Sequence, residues 1–232
     1  SYQTVLDAVT KQFHSGEGAI QFAPEAIARS NADILKDDEL RKEFIEIYSE
    51  QGKDEAKDWI NSSYGPFSEE ELNHRMSRYG LNPCGEILGN DFHCNLAEVH
   101  LNQIDPENFE EQKKAFKAAA LSVACLLNHE FEVERYRKSR EYDPIVGVSF
   151  TGLFDFCVHA FGTPWLKWWE AGRPNNEEGN AFKEKEAKFL DSWRKIVKET
   201  VWEYCDKHNL RRPNRCTTVQ PAGTKSLLTG AA

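Results

Sequence analysis

Residues 82–86 read Asn-Pro-Cys-Gly-Glu, and a second thiol, Cys94, follows within Phe-His-Cys-Asn. If the first segment is extended, an amide, a thiol and a carboxylate at alternate positions share one side of the backbone. The amide of Asn82 both donates and accepts hydrogen bonds, so it can orient a hydroxyl. The carboxylate of Glu86 can take a proton from that hydroxyl as a general base. Cys84 is poorly placed for thiolate chemistry, because a neighbouring carboxylate raises a thiol's pKa. A thiol that keeps its hydrogen suits homolytic chemistry, in which S–H gives up a hydrogen atom. Cys94 can act as a reductant if it pairs with another thiol, either Cys84 across a tight loop or a partner elsewhere. The plainer reading is a loop with a buried cysteine and a solvated glutamate, and spacing alone leans slightly towards it.

A second stretch with chemical character closes the chain. Pro221, Ala222, Gly223, Thr224, Lys225 and Ser226 follow a strand candidate at Arg215–Val219. Small residues after a strand expose main-chain N–H groups that suit a phosphate, and the Thr224 and Ser226 hydroxyls add donors. The GxxxxGK[ST] pattern of a Walker A loop is absent. An ordinary strand–helix turn has the same composition.

Composition narrows the classes. Among 232 residues the formal net charge is −9, without a long basic stretch, which argues against nucleic acid as a partner. The six cysteines contain no CxxC pair and no Cys/His ladder, so zinc is weakly supported. The start lacks a signal pattern, and the longest apolar stretch, Ala118–Leu127, is too short for a bilayer. The expectation is a cytoplasmic protein without membrane contact. The chain opens on Ser1, its only methionine is Met76, and it stops in what reads as the first turn of a helix. A partial chain is therefore expected.

The elements that must position these residues are mostly helical. Tyr2–Phe13 reads as a short helix and Pro24 as the opening of another. Ser68 and Glu71 form a capping box for a helix ending at Gly80. Asp105-Pro106 reads as a helix start, with Phe109, Phe116, Ala120, Val123 and Leu127 as its core stripe. Ile145–Phe150 is a buried strand candidate, and Thr151-Gly152 leads into a helix bearing Phe154, Cys157 and Phe161. The longest helix spans about 180–207, with Phe182, Phe189, Trp193, Val197, Val201 and Tyr204 on one face. Trp165, Trp168 and Trp169 read as a buried cluster and Lys183–Lys188 as a solvated face. Most cysteines are expected to be buried. The fold class is α/β and helix-rich.

Asn82–Gly89, followed by Asp91-Phe-His-Cys-Asn-Leu-Ala-Glu-Val-His-Leu-Asn102, closely resembles the active-site segment of class II, adenosylcobalamin-dependent ribonucleotide reductases of the monomeric, triphosphate-reducing type. Ser15–Ile27 is similar to a segment upstream of that site, and Pro221–Ser226 resembles the family's substrate-phosphate loop. The resemblance implies that residues 1–232 form the C-terminal portion of a ten-stranded α/β barrel. A finger loop at about 81–96 would carry Cys84, and a phosphate loop would lie at about 220–227. It implies adenosylcobalamin as cofactor, Cys84 as a thiyl radical that removes the ribose 3′ hydrogen, and Glu86 as base at the 3′ hydroxyl. Asn82 would hold the sugar, and Cys94 would be one of two reducing thiols, the other lying upstream of this chain. The implied partners are a ribonucleotide, a dithiol reductant such as thioredoxin, and a deoxynucleotide effector bound outside these residues. A non-catalytic nucleotide-binding fragment, a class I relative and a plain thiol–disulfide protein are the alternatives.

Overall fold

The structure, a computed structural model, describes residues 2–16 and 20–231. Part of the Ser15–Ile27 segment, residues 17–19, lies outside the described residues. The chain divides into two compact units, residues 1–79 and 80–232.

The first unit is helical: α1 (Tyr2–Ser15), α2 (Ala23–Ser30), α3 (Asp38–Gln51), α4 (Lys53–Tyr64) and α5 (Glu69–Arg75). Pro24 lies in the first turn of α2, where its missing N–H has no intrahelical partner to lose. Ile27, Leu35, Phe44, Ile60, Leu72 and Met76 form its core. Ser68 caps α5 by accepting from Glu71 N at 3.1 Å. The Glu71 carboxylate pairs with Arg75, at 3.0 Å. The helix stops at Arg75, short of the expected Gly80. The turn beyond it carries Arg78 inward, where its guanidinium donates to His74 Nδ1 and Asn31 Oδ1.

The second unit holds the sheet. β1 (Gly80–Leu81) and β2 (Leu88–Gly89) pair antiparallel, Gly80 opposite Gly89. β3 (Leu96–His100) is followed by a 3-10 turn, Leu101–Gln103, and by α6 (Phe109–Cys125). Next come α7 (Glu134–Tyr142), β4 (Gly147–Thr151), α8 (Leu153–Glu170), α9 (Glu177–Lys207) and α10 (Lys225–Thr229). β3 and β4 pair parallel, with Leu96 beside Gly147, Glu98 beside Ser149 and His100 beside Thr151.

Residues 215–218 run parallel along the other edge of β4. Val148 N donates to Cys216 O at 3.0 Å, and Thr218 N donates to Val148 O at 3.1 Å. The strand expected at Arg215–Val219 is thus a single bridge at Thr217. Its ladder stops because Gln220 N donates to the Ser149 side chain at 3.0 Å instead of to a strand carbonyl.

Strand periodicity gives the sheet two unlike faces. Val99 and Val148 join Phe116, Ala120 and Val123 of α6 and Trp193, Val197 and Val201 of α9 in the main core. The opposite face presents Leu96, Glu98 and His100 from β3 with Gly147, Ser149 and Thr151 from β4. A Cβ on Gly147 would lie 2.6 Å from Leu96 Cδ2 and 3.0 Å from Thr218 Cγ2, so the 215–218 segment can lie this close only over a glycine.

Three further helix boundaries and two packing expectations differ from the sequence reading. α6 begins at Phe109, not at Asp105-Pro106, because Asp105 Oδ1 accepts from Glu107 N in a turn and Asn108 Oδ1 caps the helix from Glu111 N. α9 begins at Glu177, capped by Asn176. α10 closes at Gly230, whose φ of 66° is left-handed. Phe109, on the first turn of α6, is 58% exposed and stacks on Phe189. Only Cys157, Cys205 and Cys216 are buried; Cys84, Cys94 and Cys125 are exposed. Among the described residues no helix is long and apolar enough to cross a membrane.

Candidate active site

The hairpin between β1 and β2 carries the first chemical segment. It turns at Pro83 and Cys84 and is not extended: Gly85 N donates to Asn82 O at 2.9 Å. Gly85 has φ of +79°, a conformation that disfavours any residue with a Cβ. Residues 82, 84 and 86 are therefore brought together by a turn, and alternation along a strand plays no part. Asn82 holds that turn closed. Its Oδ1 accepts from Glu86 N at 3.1 Å and from Ile87 N at 3.0 Å. The same side chain donates from Nδ2 to Cys94 Sγ at 3.5 Å, so Asn82 links the two thiol-bearing segments.

Cys84 and Cys94 are both exposed free thiols. Burial of its sulfur and the charge of Glu86 push the Cys94 thiol above the ordinary range, with a smaller push from Cys84 and a partial offset from the Asn82 hydrogen bond. Cys94 therefore keeps its proton at neutral pH. Glu86 is fixed by its main chain, whose carbonyl accepts from Thr218 Oγ1 at 2.8 Å. Its Oε2 is buried and has no hydrogen-bond partner. Such an oxygen carries the cost of desolvation uncompensated, so it is open to a hydrogen-bond donor. The base of the hairpin is pinned by Arg215, which donates to Leu88 O at 3.2 Å and to the buried Asp143 at 2.6 Å.

The second segment, residues 220–226, leads into α10 on the polar face of the sheet. Pro221, Gly223, Thr224 and Lys225 are exposed, Ala222 and Ser226 half-buried. The Ser226 hydroxyl donates to Gly223 O at 2.8 Å, and Thr224 beside it is exposed. Lys225 Nζ pairs with Glu98 Oε2 at 2.5 Å. Thr229, at the end of α10, is held through its hydroxyl by His100 Nδ1 at 2.7 Å and through its carbonyl by Asn102 Nδ2 at 2.8 Å.

Sequence reasoning reads His100 as a hydrogen-bonded structural histidine, as it is, but misses Glu98, Asn102, Ser149 and Gln220, which hold this segment with it. The signal was present in Leu-Ala-Glu-Val-His, where polar residues alternate with Ala97 and Val99. Two further side chains differ from expectation. Trp165 and Trp168 are buried as expected, but Trp169 is 41% exposed. Glu186, within the face read as solvated, accepts from Trp165 Nε1 at 2.7 Å and pairs with Arg173 at 2.6 Å, beside an aromatic cavity of about 420 Å³.

The site thus combines a thiol-bearing hairpin with a second thiol and an unpartnered carboxylate oxygen beside it. The comparisons point to one group of proteins: the chain is similar to class II, adenosylcobalamin-dependent ribonucleotide reductases. The Lactobacillus gasseri protein named adenosylcobalamin-dependent ribonucleoside-triphosphate reductase is 29% identical over 159 residues, covering 66% of this chain and 21% of its own length. The protein of that name from Lactobacillus leichmannii is 26% identical over 158 residues, with the same coverage. A crystal structure of a B12-dependent (class II) ribonucleotide reductase superposes with a TM-score of 0.52 at 22% identity, over 67% of this chain and 22% of that one, a likeness of fold. No protein-family model matches. The chain spans about a fifth of the length of the curated relatives it matches.

Proposed function

We propose that this chain supplies the thiol and general-base part of an adenosylcobalamin-dependent ribonucleoside-triphosphate reductase, within a ten-stranded barrel whose finger loop is the Cys84 hairpin. One observation carries the reading: Cys84, Glu86, Asn82 and a proton-bearing Cys94 share one hairpin neighbourhood, with one carboxylate oxygen buried and unpartnered. The residues fit the cofactor. Cys84 is exposed at the hairpin tip, and a Cβ on Gly85 beside it would meet nothing within 4 Å. When bound, adenosylcobalamin supplies the radical that takes the Cys84 hydrogen atom.

The Cys84 thiyl then removes the ribose 3′ hydrogen and re-forms its S–H bond. Glu86 accepts the 3′ hydroxyl proton on its free oxygen, which is where the geometry leaves an acceptor. Asn82, whose own oxygen is committed to the loop, fixes the distance between the two thiols and offers its amide N–H to the sugar. Cys94 gives a proton as the 2′ hydroxyl leaves as water. With a second cysteine upstream of this chain it gives two electrons, ending as a disulfide, and Cys84 then returns its hydrogen atom to the 3′ carbon as Glu86 returns the proton to the 3′ oxygen. A dithiol such as thioredoxin in the cytoplasm restores the thiols. Pro221–Ser226 holds the phosphates of the substrate, a triphosphate by analogy with the relatives, and a deoxynucleotide effector binds outside these residues.

The test is rapid-freeze electron paramagnetic resonance on the complete enzyme containing this chain, mixed with adenosylcobalamin, a ribonucleoside triphosphate and a dithiol. A cobalt(II)–thiyl coupled signal that is lost in Cys84→Ala is expected. The same signal persisting in that variant would overturn the assignment of Cys84.

A further inference from the structure

The polar face of the sheet places a carboxylate where the phosphate-binding reading needs positive charge. Glu98 sits on β3 with its side chain 4% exposed, and its Oε2 takes both Lys225 Nζ, at 2.5 Å, and the Gln220 side-chain amide. Glu98 Oε1 and Gln220 Oε1 are both buried without partners. A buried carboxylate needs a counter-charge, and Lys225 is the one it has. That lysine, 48% exposed, stands in the segment assigned to phosphate and is already neutralised.

We propose that Glu98 is a positioning residue that sets the charge of the 220–226 segment, an inference that rests on the phosphate-binding reading of that segment. Glu98 holds Lys225 in an ion pair, with Gln220 completing the clamp. The segment therefore meets a phosphate chain through main-chain N–H groups and the Thr224 hydroxyl rather than through a free ammonium. The proposed reaction changes only the ribose, so substrate and product carry the same phosphates. Extra grip on the phosphates would strengthen both complexes equally, adding nothing to the chemical step and slowing product release. A muted lysine keeps that grip moderate.

The test is calorimetric titration of the chain with tripolyphosphate, which needs no turnover and is independent of Cys84. In low salt, Glu98→Gln frees the ammonium and is expected to tighten binding by about threefold to tenfold, a gain that shrinks as ionic strength rises. Lys225→Met leaves a buried carboxylate uncompensated and is expected to weaken binding, and the double variant to recover towards wild type. A merely structural Glu98 predicts the opposite: weaker binding in Glu98→Gln and a double variant no better than either single one. That result, or unchanged affinity in Glu98→Gln, overturns the inference and leaves the phosphate reading standing. Absence of tripolyphosphate binding in the wild type overturns both. Should Glu98→Gln fail to fold, the Lys225 ammonium resonance in the unliganded wild type decides. Slowly exchanging protons are expected, and a freely exchanging, solvated ammonium overturns the inference.

Discussion

The two units differ in how completely their buried polar groups are partnered. In residues 2–79, Arg75 is 1% exposed, yet its guanidinium donates to Asp33, Glu71 and Asn31, and Asn31 Oδ1 also accepts from Arg78. Both buried guanidiniums there face partners. In residues 80–231 the buried oxygens of Glu86, Glu98, Asn102 and Gln220 lack one. All four are acceptors on or beside one sheet face. A saturated network fixes a structure, whereas an unsaturated one costs stability and marks where a ligand's donors belong.

The largest expected break in that contrast comes from Cys84→Ser. Turnover of the complete enzyme should fall at least about a thousandfold, while the thermal melt stays unchanged, because an exposed thiol supports nothing else. Glu86→Gln should lower kcat by about a hundredfold to ten-thousandfold with little effect on KM, through loss of the base. Arg75→Ala does the reverse in the saturated unit. Stripping a buried cation from its carboxylates should cost about 3–5 kcal/mol, read by urea denaturation of the unit's helical signal. Asn82→Ala releases two main-chain N–H groups, a loss of about 1–3 kcal/mol confined to the hairpin, visible as faster hydrogen exchange at Glu86 and Ile87.

The smallest effect is a pH slope. Burial alone would raise the Asp33 carboxyl, but the hydrogen bond and charge of Arg75 outweigh it and hold it below its ordinary 3.8. Its folded pKa is depressed, so its contribution is complete above the ordinary value and lost as pH falls through the lower folded value. Asp33→Asn should flatten the stability–pH curve in that acid window and leave it unchanged near neutrality.

The sequence was most legible where local chemistry decided the outcome. Pro24 at a helix start, Gly152 before α8 and the buried stripe of α9 follow from backbone preference and periodicity. Asn82, Cys84, Glu86 and Cys94 could be named from residue types, but the reason they meet could not. Alternation along a strand predicted the grouping, and a turn locked by one asparagine oxygen produces it. The clamp around Lys225 was illegible because Glu98 lies more than a hundred residues before it, joined only when the 215–218 segment comes to rest on β4. Asp105-Pro106 misled because two nearby cap residues competed and Asn108 captured the helix.

The parallel register of β3 and β4 has a consequence for how this molecule tolerates error. Val99 and Glu98 are neighbours in sequence, yet one belongs to the aromatic core and the other to the clamp. A slip of one residue would exchange them, driving a carboxylate and an imidazole against Trp193 and Phe116 and stranding valine opposite Lys225. Folding and chemistry thus share a single checkpoint: a chain that pairs these strands wrongly cannot survive as a stable but inactive protein, because the same shift that empties the site ruptures the core.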